Sequence, residues 1–296
     1  MKTVKLSLLV IVCLVLLSAC EKDNSSVKTV SDYHKKEYQG ENYYYDTDIV
    51  NFLFVGTDGK TQADAIFLLS LKRSASQARI YLIDRNTYTD IRSFDSNGND
   101  LGFNANYISL SYSYGSSVKQ SVLLSKDAVS RLFGEIPISY YFCSDINDIY
   151  LLHSYVDELE IILPNDSLKD IDESLAAGSL YLVTEENVEQ YLRYRKTEEI
   201  GSNIQRLERQ EVYLRAYIDK IMEKDNIDSD KLMGILDRVY ANIGLAEIEY
   251  YLDLFMDCSF ELCYLPGENV RDRLRDRFLV DEEELEREII EYYYVK

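Results

Sequence analysis

The sequence predicts an α/β fold, an α-β-α sandwich with a mixed central sheet and helices on both of its faces. Short, nearly continuous apolar runs, as at residues 49–55, mark strands buried on both sides. Segments with the helical apolar period, as at residues 118–133, follow them. Strand-like and helical stretches then alternate, which is the pattern of helices layered on a sheet.

Taken in order, the run 49–55 is stopped by Gly56, and residues 57–62 form a turn around Asp58-Gly59. Residues 65–71 and 79–83 supply a second and a third buried strand. Residues 93–117, rich in Ser, Asn and Gly, have the composition of a long loop with a short helix near Tyr107, and loops of that length often carry function. The helix over 118–133 ends at Gly134; 138–143 is strand-like, 146–155 helical, and 159–163 a further strand before Pro164. Thr184, followed by Glu185 and Glu186, caps a helix that runs to Arg193. Gly201-Ser202-Asn203 breaks it and a second helix follows. Residues 230–243 and 245–256 are amphipathic, 259–265 is a last strand stopped by Pro266-Gly267, and 281–292 is an acidic helix. No linker sets these apart, so residues 49–296 are expected to form one domain with additional C-terminal helices.

Ahead of that domain, residues 1–19 have the form of an export signal, with Lys2 and Lys5 before a Leu/Val-rich run. The run, about twelve residues long, is too short to span a bilayer comfortably. It closes on Leu17-Ser18-Ala19-Cys20, which resembles a bacterial lipobox, so cleavage before Cys20 and lipidation of that cysteine are expected. The alternative is an uncleaved N-terminal anchor. Residues 20–48 are polar and are expected to form a tether, whose Tyr43-Tyr44-Tyr45 either docks on the domain or meets the membrane interface.

Lys and Arg number 32 against 52 Asp and Glu, for a net charge of −20. Such a chain has no basic stripe with which to displace counterions, which argues against nucleic acid. An anionic substrate must instead be drawn in by a local positive site. The only histidines, His34 and His153, do not suffice for a multi-histidine zinc site, and His153 is expected to be a packing residue. Outside the leader, Cys143, Cys258 and Cys263 are an odd set and no disulfide framework; Cys258 and Cys263 either bridge or remain buried thiols with Cys143. The 26 tyrosines are expected as half-buried walls with wet hydroxyls.

Against this acidity, Arg193, Arg195, Arg206 and Arg209 fall within 17 residues. Arg206, Arg209, Gln210 and Tyr213 recur at steps of three and four and so share one helical face. Arg193 and Arg195 join them if the break at Gly201 folds the two segments together. Guanidinium forks so gathered suit an anion with several oxygens, such as a pyrophosphate. The plainer reading pairs them with Glu198, Glu199, Glu208 and Glu211 as solvated surface ion pairs. Arg85 directly follows the third strand, at the carboxyl edge where ligands of α/β folds bind. Asp58 and Asp64 flank the loop between the first two strands. Either they hold Mg²⁺, its shell completed by water and phosphate, or Asp58 serves only the turn.

These pieces, in this order, resemble the LytR–CpsA–Psr family of bacterial cell-envelope proteins. The likeness is carried by Phe54-Val55-Gly56-Thr57-Asp58, by residues 63–71 around Asp64, and by Ile83-Asp84-Arg85-Asn86-Thr87-Tyr88. It continues through Asn104-Ala105-Asn106-Tyr107, residues 136–141, residues 191–195 and residues 206–210. The resemblance implies a sandwich that buries a polyprenyl tail and holds its phosphate or pyrophosphate among arginines. Arg85, Arg195 and Arg206 would be catalytic; Arg193 and Gln210 would join them in gripping the phosphates, with Arg209 added from its place on the same helical face. Asp58 and Asp64 would hold Mg²⁺ or orient the site.

The implied activity moves a glycopolymer, of teichoic-acid or capsule type, from its lipid carrier to peptidoglycan on the outer face of the cytoplasmic membrane. A sugar hydroxyl attacks phosphorus and the lipid phosphate leaves. The sequence departs from the family pattern at several points. Lys60 and Gln62 stand where arginines are usual, and Pro-Arg-Asp becomes Asp84-Arg85-Asn86. Asn203-Ile204-Gln205 replaces an acid before Arg206, and Gly115-Ser116 and Asp157-Glu158 replace glycine pairs. These changes bear on turnover more than on fold, so two alternatives stand beside transfer: a non-catalytic binder of polyprenyl phosphate or envelope polymer, and a surface interaction lipoprotein.

Overall fold

The computed structural model describes residues 35–58, 62–196, 202–224, 226–272 and 275–296; the leader, Cys20, His34, Lys60 and Gly201 lie outside these. The described chain opens with a hairpin, β1 (Lys36–Tyr38) and β2 (Glu41–Tyr45). Next come β3 (Ile49–Thr57), β4 (Ala63–Lys72) and β5 (Gln77–Ile83), β4 running antiparallel to both neighbours. A second hairpin, β6 (Tyr88–Phe94) and β7 (Asp100–Tyr107), leads through a short 3-10 segment to α1 (Val118–Leu132). After it come β8 (Tyr140–Asp145), α2 (Ile149–His153), β9 (Leu159–Ile162) and β10 (Leu180–Val183). Two helices follow, α3 (Val188–Arg193) and α4 (Ser202–Met222). The remainder is α5 (Ser229–Leu236), β11 (Tyr240–Ala241), α6 (Leu245–Met256) and β12 (Ser259–Tyr264). It ends with the hairpin β13 (Gly267–Asp272) and β14 (Arg275–Val280), α7 (Glu282–Tyr293) and β15 (Tyr294–Val295).

As predicted, the core is a mixed sheet, ordered β11-β8-β3-β4-β5-β12, with helices on both faces. The β3–β8 and β5–β12 pairs are parallel and the others antiparallel. Side chains of one strand alternate between faces, so each apolar run feeds two cores. Leu53, Val55, Leu68, Tyr81 and Ile83 bury one face against Val122 and Val129 of α1 and Leu285 and Ile289 of α7. Val50, Phe52, Leu71 and Ile80 bury the other against Ile218 of α4 and Phe255 of α6. A separate cluster joins β9, β10, α3 and α4 around Tyr191 and Tyr213.

Several sequence-based expectations are corrected. Residues 93–117 are not a long loop: most belong to the hairpin β6–β7 and the 3-10 segment. Its turn is set by Asp95, whose carboxylate accepts the N–H groups of Asn97 and Asn99 at 2.8 Å each. The expected polar tether contains strands from Lys36 onward, because β2 pairs with β15 and Tyr45 packs edge-on against Tyr294. Tyr45 is therefore docked on the domain. The amphipathic stretch 230–243 is helical only to Leu236, after which Tyr240 pairs with Cys143. The hairpin β13–β14 was not anticipated. All three cysteines are free, and Cys263 is half-buried rather than buried. Tyr81, Tyr191 and Tyr293 are fully buried, not wet; the Tyr293 hydroxyl is satisfied internally by Ser70 Oγ at 2.6 Å.

His153 is the packing residue expected, wholly buried between Tyr213 and Val183. The Val183 carbonyl only accepts, so Nε2 carries the proton at 3.2 Å and Nδ1 accepts from the Tyr213 hydroxyl at 3.0 Å. Burial holds the imidazole pKa below its ordinary value of about 6.5. As pH falls below that value the unfolded chain binds a proton that folded His153 refuses, so stability falls. Urea midpoints should therefore drop between pH 7.5 and pH 5.5, and drop less in His153→Gln; an equal loss in both would reject this account.

Candidate functional site

β3 and β5 reach one end of the sheet with their carboxyl termini, and β4 starts there because it runs against both. Asp58, Asp64 and Arg85 are thereby delivered to a single edge. Gly56 permits close approach at the β3 bulge, since a Cβ there would stand 3.3 Å from that of Ala65. From the helical layer, the residues after α3 and the first turns of α4 come to the same edge. Asp58, Gln62, Asp64, Arg85, Arg193, Arg195 and Arg206 together line a cavity of about 300 Å³. Among these lining side chains four guanidinium groups face two carboxylates, a local positive excess in a strongly acidic chain.

Two hydrogen-bonded chains hold the arginines. Arg85 donates from Nη1 to Asp64 and from Nη2 to Gln62 Oε1. Arg206 Nη2 donates to Asn203 Oδ1 at 2.6 Å, and Asn203 Nδ2 donates in turn to Asp84 Oδ1. The same Asp84 oxygen accepts Asn86 N–H at 2.7 Å. Gln62, Asp84 and Asn203 were visible in the sequence only as departures from the family pattern; in space they orient the arginines beside them.

Arg206 is 6% exposed, and its Nε–H finds no partner among the described residues. A buried donor left unsatisfied costs about 1–3 kcal/mol, which an incoming acceptor recovers. Burial, then the neighbouring Arg85 and Arg195, push the Arg206 guanidinium down to about 10. Burial and then Arg85 lower Arg195 as well. Burial raises Asp84, against the pull of its hydrogen bonds and of Arg206. The cluster is thus short of negative charge in the half that faces the cavity.

Arg209 and Gln210 do not line the cavity. Arg209 is fully buried; Nε donates to the Tyr191 carbonyl at 2.9 Å, Nη2 to the Tyr194 carbonyl and Nη1 to Ser167 Oγ. Its assignment to phosphate is corrected to a clamp that ties α4 to the end of α3. Gln210 Nε2 likewise meets the Leu192 carbonyl, at 3.4 Å. One helical turn beyond Arg206, both side chains meet α3 instead of the sheet edge. The surface-pair reading fits Arg193, which meets Glu189 at 2.7 Å, but not the buried Arg206 or Arg209.

Next to the cavity, one face of the sheet is less fully covered. On the face toward α4 and α6, Val50, Phe52, Leu71 and Ile80 are buried, yet Phe54, Phe67, Leu69 and Phe142 are only half-buried. The last four sit on interior strands, so this is no edge effect. They lie toward the end that carries Asp58 and Asp64, giving the arginine cavity an apolar neighbour. For metal, no group of three or more His, Cys, Asp or Glu is gathered among the described residues. Mg²⁺ commonly takes only one or two protein carboxylates and completes its shell with water and phosphate, so Asp58 and Asp64 fit a phosphate-dependent site.

Comparison with known proteins agrees with this architecture. The B. subtilis TagT crystal structure is similar at a TM-score of 0.62 and 18% identity, over 88% of this chain and 96% of that one. TagT bound to LI-WTA is similar at 0.63 and 19%, over the same shares of 88% and 96%. The Lin1025 protein from Listeria innocua is similar at 0.56 and 19%, over 82% of this chain and 96% of that one. At such identities these likenesses speak for the fold. No curated protein sequence matches the chain. The model of the LytR_cpsA_psr family matches residues 14–287, nearly the whole sequence, and the chain belongs to that family.

Proposed function

We propose that the protein transfers a glycopolymer, of teichoic-acid or capsule type, from a polyprenyl (pyro)phosphate carrier to peptidoglycan. It would do so on the outer face of the cytoplasmic membrane, anchored through Cys20. The convergence of Arg85, Arg195 and Arg206 on one cavity, beside a half-buried apolar face, carries this reading. Family membership supports it, as does a shared fold with TagT, of which a structure bound to LI-WTA exists.

The guanidinium groups supply what phosphoryl transfer chiefly demands, fixed positive charge around the phosphoryl oxygens. Arg206 offers its partnerless Nε–H and Arg85 its charge, while Arg193 and Arg195 close the rim. The tail rests against Phe54, Phe67, Leu69 and Phe142. An acceptor hydroxyl oxygen bonds to phosphorus as its proton passes to water, the bond from phosphorus to the carrier's phosphate oxygen breaks, and the leaving oxygen's charge is met by the arginines. Asp58 and Asp64 would hold Mg²⁺, which when bound neutralises charge on the phosphoryl group.

One observation favours a second reading, that of a non-catalytic binder. Arg85 is engaged by both Asp64 and Gln62, where the family usually places an arginine at position 62. Polyprenyl lipid that co-purifies without Mg²⁺-dependent turnover would select that reading.

Arg195→Ala and Arg206→Ala should each abolish transfer of a lipid-linked glycan to peptidoglycan in vitro; undiminished transfer in both rejects the assignment. Stability sorts ligand groups from clamps. Arg209→Met should cost about 3 kcal/mol or more, because it strands several buried acceptors. Arg195→Ala should leave stability unchanged or raise it, since one of a set of like charges is removed. Urea unfolding measures both, and a comparable loss in the two variants would make Arg195 part of the scaffold.

A further inference from the structure

A second cavity, of about 450 Å³, opens between α4, the end of β12 and the hairpin β13–β14. Asp84 lines it, and Asp84 is linked through Asn203 to Arg206 of the first cavity, so one hydrogen-bonded chain joins the two. The hairpin is registered on the loop that carries Arg85: Phe278 N–H donates to the Asn86 carbonyl at 3.0 Å, and Thr87 bridges to Phe278. Its first residue must be glycine, since Gly267 has φ +150 and a Cβ there would lie 2.1 Å from the Leu279 carbonyl oxygen.

We propose that this cavity is the acceptor subsite and takes a neutral, hydroxyl-rich sugar ring. The proposal rests on the transfer reading above and adds where the acceptor sits. The volume is that of a small-molecule pocket. Its charged lining side chains, Asp84, Glu208 and Glu211, are all acidic, which turns phosphates and carboxylates away. All three acids already accept hydrogen bonds within the protein, Asp84 from Asn203 and Asn86, so the lining is a set of oriented acceptors suited to hydroxyl groups. Glu208 accepts from Asn165 Nδ2 at 2.8 Å, and Glu211 accepts from the Tyr264 hydroxyl and meets Arg215 at 3.6 Å. Tyr264, 42% exposed, and the half-buried Phe278 supply rings for the C–H face of a sugar. Asn269 and the remaining carboxylate lone pairs serve its hydroxyl and amide groups.

The test titrates the full chain in detergent with chitotetraose, a neutral N-acetylglucosamine tetramer, and separately with a polyprenyl monophosphate in micelles, both by calorimetry. Wild type should bind chitotetraose. Tyr264→Ala and Phe278→Ala should each weaken it at least tenfold while keeping polyprenyl phosphate, and Arg195→Ala should do the reverse. Asn269→Ala, at an exposed position, should weaken the sugar at least threefold and guards against misfolding of the aromatic variants. No sugar binding by wild type, or equal binding by all variants, overturns the subsite even if the lipid still binds. Preference for a lysine-rich peptide over the sugar overturns it too. Sugar binding that depends on Tyr264 and Phe278 in a chain that takes no polyprenyl phosphate supports the subsite and removes the transfer reading instead.

Discussion

Like charges must be held side by side for this molecule to have a site at all. Two guanidinium groups about 6 Å apart at an effective dielectric near 20 repel by about 3 kcal/mol. That is a large share of the roughly 5–15 kcal/mol that keeps a domain folded. Arg85, Arg195 and Arg206 are nonetheless gathered, two from the helical layer and one from the sheet. The repulsion is borne by groups that stay outside the arginine cavity. Arg209 fastens α4 to the carbonyls at the end of α3, and the Asp84–Asn203 pair steadies Arg206 from behind. An anion placed in the cavity would offset that repulsion.

The two faces of the sheet are packed differently. Under α1 and α7 the face is filled throughout, down to tyrosines whose hydroxyls bond inside the protein. Under α4 and α6 the packing loosens toward the arginine end, leaving aromatic and aliphatic side chains half-covered on interior strands. Such surface costs about 25 cal/mol per Å² while it stays wet. A ligand with a greasy tail and a charged head would meet the loosened layer and the unsatisfied arginine together.

Legibility followed burial. β3, β4 and β5 could be read because a strand covered on both faces leaves a continuous apolar run, and α1 because its apolar period is regular. Arg85, Asp58 and Asp64 could be singled out because each stands next to such an element, and Arg195 and Arg206 because arginines cluster there in an acidic chain. Helical spacing put Arg206, Arg209 and Gln210 on one face correctly, but spacing does not say what that face meets. Arg209 turned out to meet backbone carbonyls. The missed strands are the polar ones. β6–β7 is held by turn chemistry around Asp95, for which Asn97-Gly98 was the available signal. β2 finds its partner β15 at the far end of the chain, a pairing no local pattern announces.

The exchange of Pro-Arg-Asp for Asp84-Arg85-Asn86 can now be understood physically. In the family pattern a carboxylate stands one residue after the arginine; here one stands directly before it. Residues 84–87 form a turn closed by the Thr87 N–H on the Asp84 carbonyl at 2.8 Å, so Asp84 and Asn86 both stand beside Arg85 at the strand end. The carboxylate of Asp84 is buried and engaged by Asn203, which belongs to the Asn203-Ile204-Gln205 stretch that stands in place of an acid before Arg206. Two departures that look independent in the sequence are therefore one contact in space: an acid lost before Arg206 and an acid gained before Arg85. The negative charge behind Arg206 sits at the neighbouring strand end, with the Asn203 amide as intermediary. Because that carboxylate is committed to Asn203 and Asn86, it adds support behind the cluster without lining the arginine cavity.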